Sequence, residues 1–286
     1  MSLKSSLETL FNKIEQKSII LISGNINELF YLSDIFKDAK NTNGFVTLTD
    51  IIAYYCNHRP KPVQRIHYFN PSSGLVDYSI NKEAVKKEQE QNNQEQSDLG
   101  IESGGNDLNE YLDQLNNEII EAAKISNSDS TLDIIDCSDI FFDKSSAQGI
   151  TPAKLAQLVA DYMQFNDHTK VVQFITNFKK LVLYSRNPST LTNFFSTNNV
   201  EFASVIIQKP SKEERDDFFK TYSPYFINAK STINDPSSDD FKDAVVITDG
   251  LSYREILQLA KLNTDNTEYT IKQLYNIANF NKKQSE

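Results

Sequence analysis

Five short apolar runs, interleaved with stretches of helical periodicity, set the folding problem for this chain. They are "SIILIS" running into Gly24, "VQRIHYF", "TLDIID", "KLVLYS" and "FASVIIQ". Each is too short for a stable helix and is bounded by polar or turn residues, so each reads as a strand buried in a sheet. Amphipathic helices fall between them: residues 3–16, "TLTDIIAYYCN" with Thr49 or Asp50 near its start, "DLNEYLDQLNNEIIEAAK", and "TPAKLAQLVADYMQF". The last opens with Thr151 as N-cap and Pro152 in its first turn, where a missing N–H costs nothing. Strands alternating with helices predict an α/β fold with a mostly parallel sheet flanked by helices. The strands are expected near 18–23, 63–69, 131–136, 180–185 and 203–208.

Local signals divide the rest. "NPSSG" after the second strand reads as a turn. Ser211 with Glu214, and Ser252 with Glu255, form two capping boxes that mark helix starts. "NAKSTINDPSSDDFKD" reads as a polar loop, and "YTIKQLYNIANF" as a short closing helix. Residues 82–107, with "KKEQEQNNQEQSD" and "ESGGND", carry too little apolar surface to offset their ordering entropy and read as a disordered insertion. The expected layout is residues 1–81 and 108–228 as the two parts of an α/β domain, with a loop and helical lid-like segment over 229–286.

Charge narrows the function classes. The net charge of −10 over 286 residues argues against a general nucleic-acid binder, because phosphate affinity needs clustered Lys and Arg. The amphipathic N-terminus lacks the apolar core of a signal peptide, and no run approaches a membrane span. Cys56 and Cys137 offer no disulfide framework, and His58, His67 and His168 have no zinc-ligand spacing. A cytoplasmic protein, bound to neither membrane nor nucleic acid, is expected. Glycine is scarce, at 8 residues, and none precedes a lysine, so the glycine-rich phosphate loops are absent.

The chemistry-bearing stretch is "STLDIIDCSDIFFD". Its strand ends at Asp136, the type of residue that orients a metal-bound water, with Cys137 where a hydrolase would place a glutamate. Asp133, three residues before Asp136, points to the opposite face of a strand, so Asp133, Asp136 and Asp139 cannot form one ligand cluster and read as solvated strand-end acids. Asn187 follows the next strand beside Arg186, in an Asn-Pro turn. Arg215 lies five residues after Pro210, and Arg254 sits near the start of "SYREILQL", one turn before Gln258.

In serial order these pieces, over about residues 130–262, resemble the second half of an AAA+ ATPase module. The resemblance implies a P-loop-like fold with Asp136 as Walker B and magnesium ligand, Asn187 as sensor 1, and Arg254 as a sensor-2 substitute on a helical lid. Ser23, Gly24 and Asn25 occupy the place of the P-loop, without its lysine. The opening "IILISGNINELFYLSD" is similar to divergent AAA+ proteins of phage-tail-like contractile injection systems, in which a degenerate first module precedes a competent second one. A degenerate module of that kind would bind ATP and magnesium weakly and hydrolyse nothing itself. It would serve the assembly or remodelling of a macromolecular complex, beside protein subunits of a ring or larger assembly, homo- or hetero-oligomeric. The alternatives are a divergent active ATPase, cradling phosphate on Ser23-Gly24-Asn25 and amides at a helix N-terminus, and a nucleotide-independent α/β adaptor.

Overall fold

The computed structural model describes residues 2–36, 39, 45–70, 74–79, 108–124, 129–136, 152–168, 178–186, 201–222, 235–261 and 271–276. The expected insertion at 82–107, together with Cys137, Asp139, Thr151 and Asn187, lies outside these residues. Five of the strands stand where the apolar runs placed them: β1 (Ile19–Gly24), β4 (Arg65–Asn70), β6 (Thr131–Ile135), β7 (Lys179–Tyr184) and β8 (Phe202–Ile207). Three more were not foreseen: β2 (Leu29–Tyr31), β3 (Phe45–Thr47) and β5 (Gly74–Asp77).

The main sheet has six strands in the order β5-β4-β6-β7-β1-β8. The pairs β4–β6, β6–β7 and β7–β1 are parallel, and β5 is an antiparallel edge paired with β4 through Asn70↔Gly74 to His67↔Asp77. The sheet is thus mostly parallel and flanked by helices, the α/β fold expected. β6 is an interior strand. Its five residues are all buried, as are Ile19–Ile22 of β1, which are 0% exposed. Side chains sealed on both faces give the continuous Ile/Leu/Val runs of the sequence, each contributing about 1.5–3 kcal/mol.

By Cα proximity the chain falls into two compact units, one comprising Met1–Glu8, Asn27–Leu48 and Ile207–Glu286, the other Thr9–Ile26 and Thr49–Ile206. The second unit holds most of the sheet. Helices α4 (Leu108–Lys124) and α5 (Pro152–His168) cover one face of it, burying Tyr111, Leu112 and Leu115, and Leu155, Leu158 and Tyr162, against Leu21, Phe69, Ile135 and Leu183. Asp133 lies on this face. It is not a solvated acid: it is 2% exposed, accepting from Tyr162 Oη at 2.6 Å and Tyr111 Oη at 3.3 Å, with His67 Nδ1 at 3.0 Å. Burial pushes the His67 pKa down, but the hydrogen bond and charge of Asp133 outweigh it, and the net shift is up.

The first unit is built from three separated stretches. β2 and β3 form an antiparallel ribbon, Leu29↔Thr47 to Tyr31↔Phe45, beside the short helix α2 (Leu32–Ile35). Helices α6 (Lys212–Tyr222), α7 (Asp239–Ile247), α8 (Tyr253–Lys261) and α9 (271–276) contribute Phe218, Phe219, Phe241, Ile256 and Leu274 to one buried cluster, against which Tyr31 and Phe45 pack. α7 corrects the expectation of a polar loop. Ser238 caps it by accepting from the Phe241 N–H at 3.1 Å, and Phe241, Ala244 and Val245 fall on one buried stripe. Among the described residues no helix is long and apolar enough to cross a membrane.

Both capping boxes form. Glu214 accepts from the Ser211 N–H at 2.8 Å, and Glu255 from the Ser252 N–H at 2.8 Å. Glu214 also takes the N–H groups of Leu3 (3.1 Å) and Lys4 (2.8 Å), so one carboxylate closes α6 and the start of α1 (Leu3–Gln16). Arg215, singled out by its spacing from Pro210, is 2% exposed and structural. Its guanidinium donates to the carbonyls of Pro210 (2.9 Å) and Val245 (3.3 Å) and to Asp249 Oδ1 (2.6 Å), tying α6 to the C-terminal end of α7.

Candidate functional site at the carboxyl edge of the sheet

In open α/β sheets ligands bind beyond the carboxyl ends of the strands, and here β1, β4, β6 and β7 all end on that edge. β1 finishes in Ser23 and Gly24, whose φ of +83° is the left-handed region that favours glycine. β7 finishes in Tyr184, followed by Ser185, whose N–H donates to the Ile22 carbonyl at 2.9 Å. The register Ile22↔Tyr184 places Ser23 and Ser185 side by side on adjacent strands. Both are fully buried, and neither Oγ has a hydrogen-bond partner. An unsatisfied buried hydroxyl costs about 1–3 kcal/mol, so two at the same edge are a place where a polar ligand atom would be stabilised.

Asp136 stands just past β6, its N–H donating to Phe69 at 2.9 Å. Its Oδ2 accepts from Tyr68 Oη at 2.8 Å and from Asn70 Nδ2 at 3.2 Å, both from the end of β4. Burial raises the Tyr68 pKa, with the Asp136 charge adding to the rise and Asn70 opposing it, so the phenol stays a donor. Thr49, in the first turn of α3 (Leu48–Asn57), has its Oγ1 3.1 Å from the buried Tyr184 hydroxyl, and the Tyr68 and Tyr184 rings are 6.4 Å apart. Alternation along β6 puts Asp136 and Asp133 on opposite faces, so these two carboxylates do not share a site. Among the described residues no group of three or more His, Cys, Asp or Glu is placed to hold a metal ion. As a lone ligand Asp136 would need phosphate oxygens and water to complete a magnesium shell.

The segment after Gly24 departs from expectation. A phosphate cradle needs a loop that opens a helix, so that first-turn N–H groups point at the anion. Here residues 25–28 lead into strand β2, and the first helix beyond it, α2, has four residues. The amides at a helix N-terminus that a Ser23-Gly24-Asn25 ATPase would use are therefore not supplied by this stretch.

Arg254 lies in the other unit, exposed on α8. The functional interest there is Glu28, which sequence reasoning passed over. It is 1% exposed and its carboxylate accepts the N–H groups of Leu29 (2.9 Å), Tyr253 (3.1 Å) and Arg254 (3.1 Å). A resident carboxylate thus occupies the N-terminus of α8, the position at which a helix dipole best receives a negative charge. Nothing local marks Glu28 as a cap of α8, because its partners on that helix lie 225 and 226 residues away.

No family model matches the chain, and no curated protein matches it. Among solved structures it is similar to an E. coli MS115-1 HORMA:CdnC:Trip13 complex, with a TM-score of 0.46 and 11% identity, covering 95% of this chain and 76% of the other. These findings correct the resemblance drawn from the motifs. Membership of the AAA+ modules, and of their contractile-injection branch, is withdrawn, since no family model supports it.

Proposed function

We propose that this chain is a binding component of a larger protein assembly, cytoplasmic and without ATP hydrolysis of its own. The observation that carries the reading is the course of the chain after β1, which enters strand β2 instead of a helix. No helix opens directly after Gly24 to offer its first-turn amides to a phosphate, and the sequence supplies no lysine there. Asp136, the carboxylate at the end of β6, is engaged by the neutral donors Tyr68 and Asn70. The group left to work with is surface, acidic overall at −10, which suits protein partners better than nucleic acid.

A second reading has one observation in its favour. The orphaned hydroxyls of Ser23 and Ser185 suit a small polar ligand, a nucleotide with magnesium on Asp136 included, bound without turnover. Two measurements on the full chain test the pair. Steady-state phosphate release with ATP and magnesium should equal background and be unchanged by Asp136→Ala; turnover that this substitution abolishes would overturn the non-hydrolysing reading. Light scattering and in-cell crosslinking of the tagged chain should find it in a stoichiometric complex, with itself or another protein. A monomer with no stoichiometric neighbour would overturn the assembly reading.

A further inference from the structure

The first unit contains a cavity of about 300 Å³ whose walls combine aromatic faces with carboxylates. Phe30 and Tyr31 of β2, Phe218 of α6 and Tyr253 of α8 supply the rings, and Asp34, Glu214 and Asp217 the acids. The rings are held in place: Tyr253 stacks on Phe218 at 4.6 Å with an interplanar angle of 11°, and Tyr31 packs against Tyr222 at 5.2 Å and Phe45 at 5.9 Å. The Tyr253 hydroxyl donates to the Glu214 carbonyl at 3.1 Å, which fixes the ring that stacks on Phe218.

The charge on this wall is unbalanced. Three carboxylates stand against one ammonium, Lys4, leaving two negative charges in excess. Glu214 is committed to the N–H groups of Leu3, Lys4 and Ser211. Asp34 accepts from Tyr222 Oη over a long 3.4 Å, and Asp217 has Lys220 3.4 Å away in an exposed pair of little strength. Burial is the largest influence on Asp34 and lifts its pKa, with Asp217 adding to the rise and Tyr222 and Lys4 opposing it. A carboxylate held in that setting is stabilised by a cation beside it. Aromatic faces with an acid at the rim are the chemistry that receives an ammonium or guanidinium, through attraction to the ring quadrupole. The volume lies at the lower end of ligand pockets, enough for one extended side chain.

We propose that this cavity receives the cationic side chain of a lysine or arginine presented by a protein partner. Lys4, the ammonium that lines the same cavity, is the resident cation with which the partner's side chain competes. The assignment rests on the reading that the chain works through protein partners and names the chemistry by which one of them is held.

The test uses capped amino acids and the full chain, so a blank result is distinguishable from a failure of the assembly reading, which light scattering and crosslinking judge. Nα-acetyl-lysine methylamide, its arginine counterpart and the uncharged norleucine analogue are titrated while the ring resonances of Tyr31, Phe218 and Tyr253 are followed by NMR. The cationic probes should bind about tenfold more tightly than norleucine, and increasing salt should weaken them. Asp34→Asn should lose about tenfold, Tyr31→Ala should lose binding while Tyr31→Phe retains it, and Lys4→Ala should tighten it severalfold. Trimethylation of the lysine probe distinguishes a methyl-lysine cage, in which affinity rises, from recognition through N–H donors, in which it falls; either result keeps a cation site. Equal binding of the norleucine analogue, ring resonances that do not move, or an Asp34→Asn variant with unchanged affinity would overturn the proposal.

Discussion

Replacing Tyr162 with phenylalanine measures how firmly the buried Asp133 carboxylate holds its helices on the sheet. The Tyr162 hydroxyl donates to Oδ2 at 2.6 Å, and both residues are 2% exposed. A hydrogen bond to a charged acceptor contributes about 1.5–3 kcal/mol net, and phenylalanine fills the same ring space, so no cavity cost is added. The carboxylate keeps Tyr111 at 3.3 Å and His67 at 3.0 Å. The expected loss is therefore in the middle of that range, about 2 kcal/mol. Tyr111→Phe removes the longer bond and should cost less, under about 1 kcal/mol. Urea unfolding at neutral pH reads both through the midpoint, with the slope unchanged. A Tyr162→Phe loss below about 0.5 kcal/mol, or a larger loss from Tyr111→Phe, would refute the role given to Asp133.

The raised pKa of His67 sets a direction with pH. Its stabilisation is fully present below the unfolded value of about 6.5 and is lost as pH rises through the higher folded value, so His67→Gln should cost more at about pH 6 than at about pH 9. Equal costs in urea melts at the two pH values would remove that coupling. Arg215→Met should destabilise by about 2–4 kcal/mol, because two buried carbonyls lose their donor, whereas Asp249→Asn should cost under about 1 kcal/mol since the Asp249 side chain is 81% exposed. Thermal melts that rank the two the other way would contradict the structural role of the guanidinium. Glu28→Gln withdraws the charge from the start of α8 and should cost about 1–2 kcal/mol, read as faster amide exchange in Tyr253–Lys261; unchanged exchange there counts against the cap. Burial pushes the Cys56 thiol up to about 12, so native protein at about pH 8 should leave Cys56 unalkylated by iodoacetamide until denaturant is added.

The central strands β1, β6 and β7 were legible because they are sealed on both faces, which forces a continuous apolar run that polar neighbours delimit. Which strand lies beside which was not, since Ile20 and Val182 pair across 162 positions that no local pattern connects. β2 and β3 were missed because three residues are too few for alternation to show, and α7 because its first turn, "DDF", reads as loop until Phe241, Ala244 and Val245 are seen to share a stripe. At the carboxyl edge, Ser23 and Asp136 stood out as the residues that end apolar strands. Ser185 ends one equally well and was passed over for the asparagine two positions on. The face of Asp133 followed from alternation, but its partners come from two separate helices, and its burial could not be read from β6 alone. The motif order that suggested a family was a set of short matches, several of which have local work: Arg215 ties two helices, and the Ser252–Glu255 pair caps one.

The first unit is assembled from three stretches, with residues 49–206 intervening between its second and third. During synthesis the strand and short helix at 29–35 leave the ribosome well before Phe218, Phe241 and Ile256, which complete their apolar cluster. At about 5–20 residues per second that interval is roughly 10–40 s, long compared with the folding of the sheet-bearing unit once its own strands are available. The nascent chain therefore carries "LFYLSDIF" as an uncovered apolar tag for much of its translation. Slowed translation between the two halves should therefore lower the fraction of chains that complete this unit, read as a smaller soluble yield.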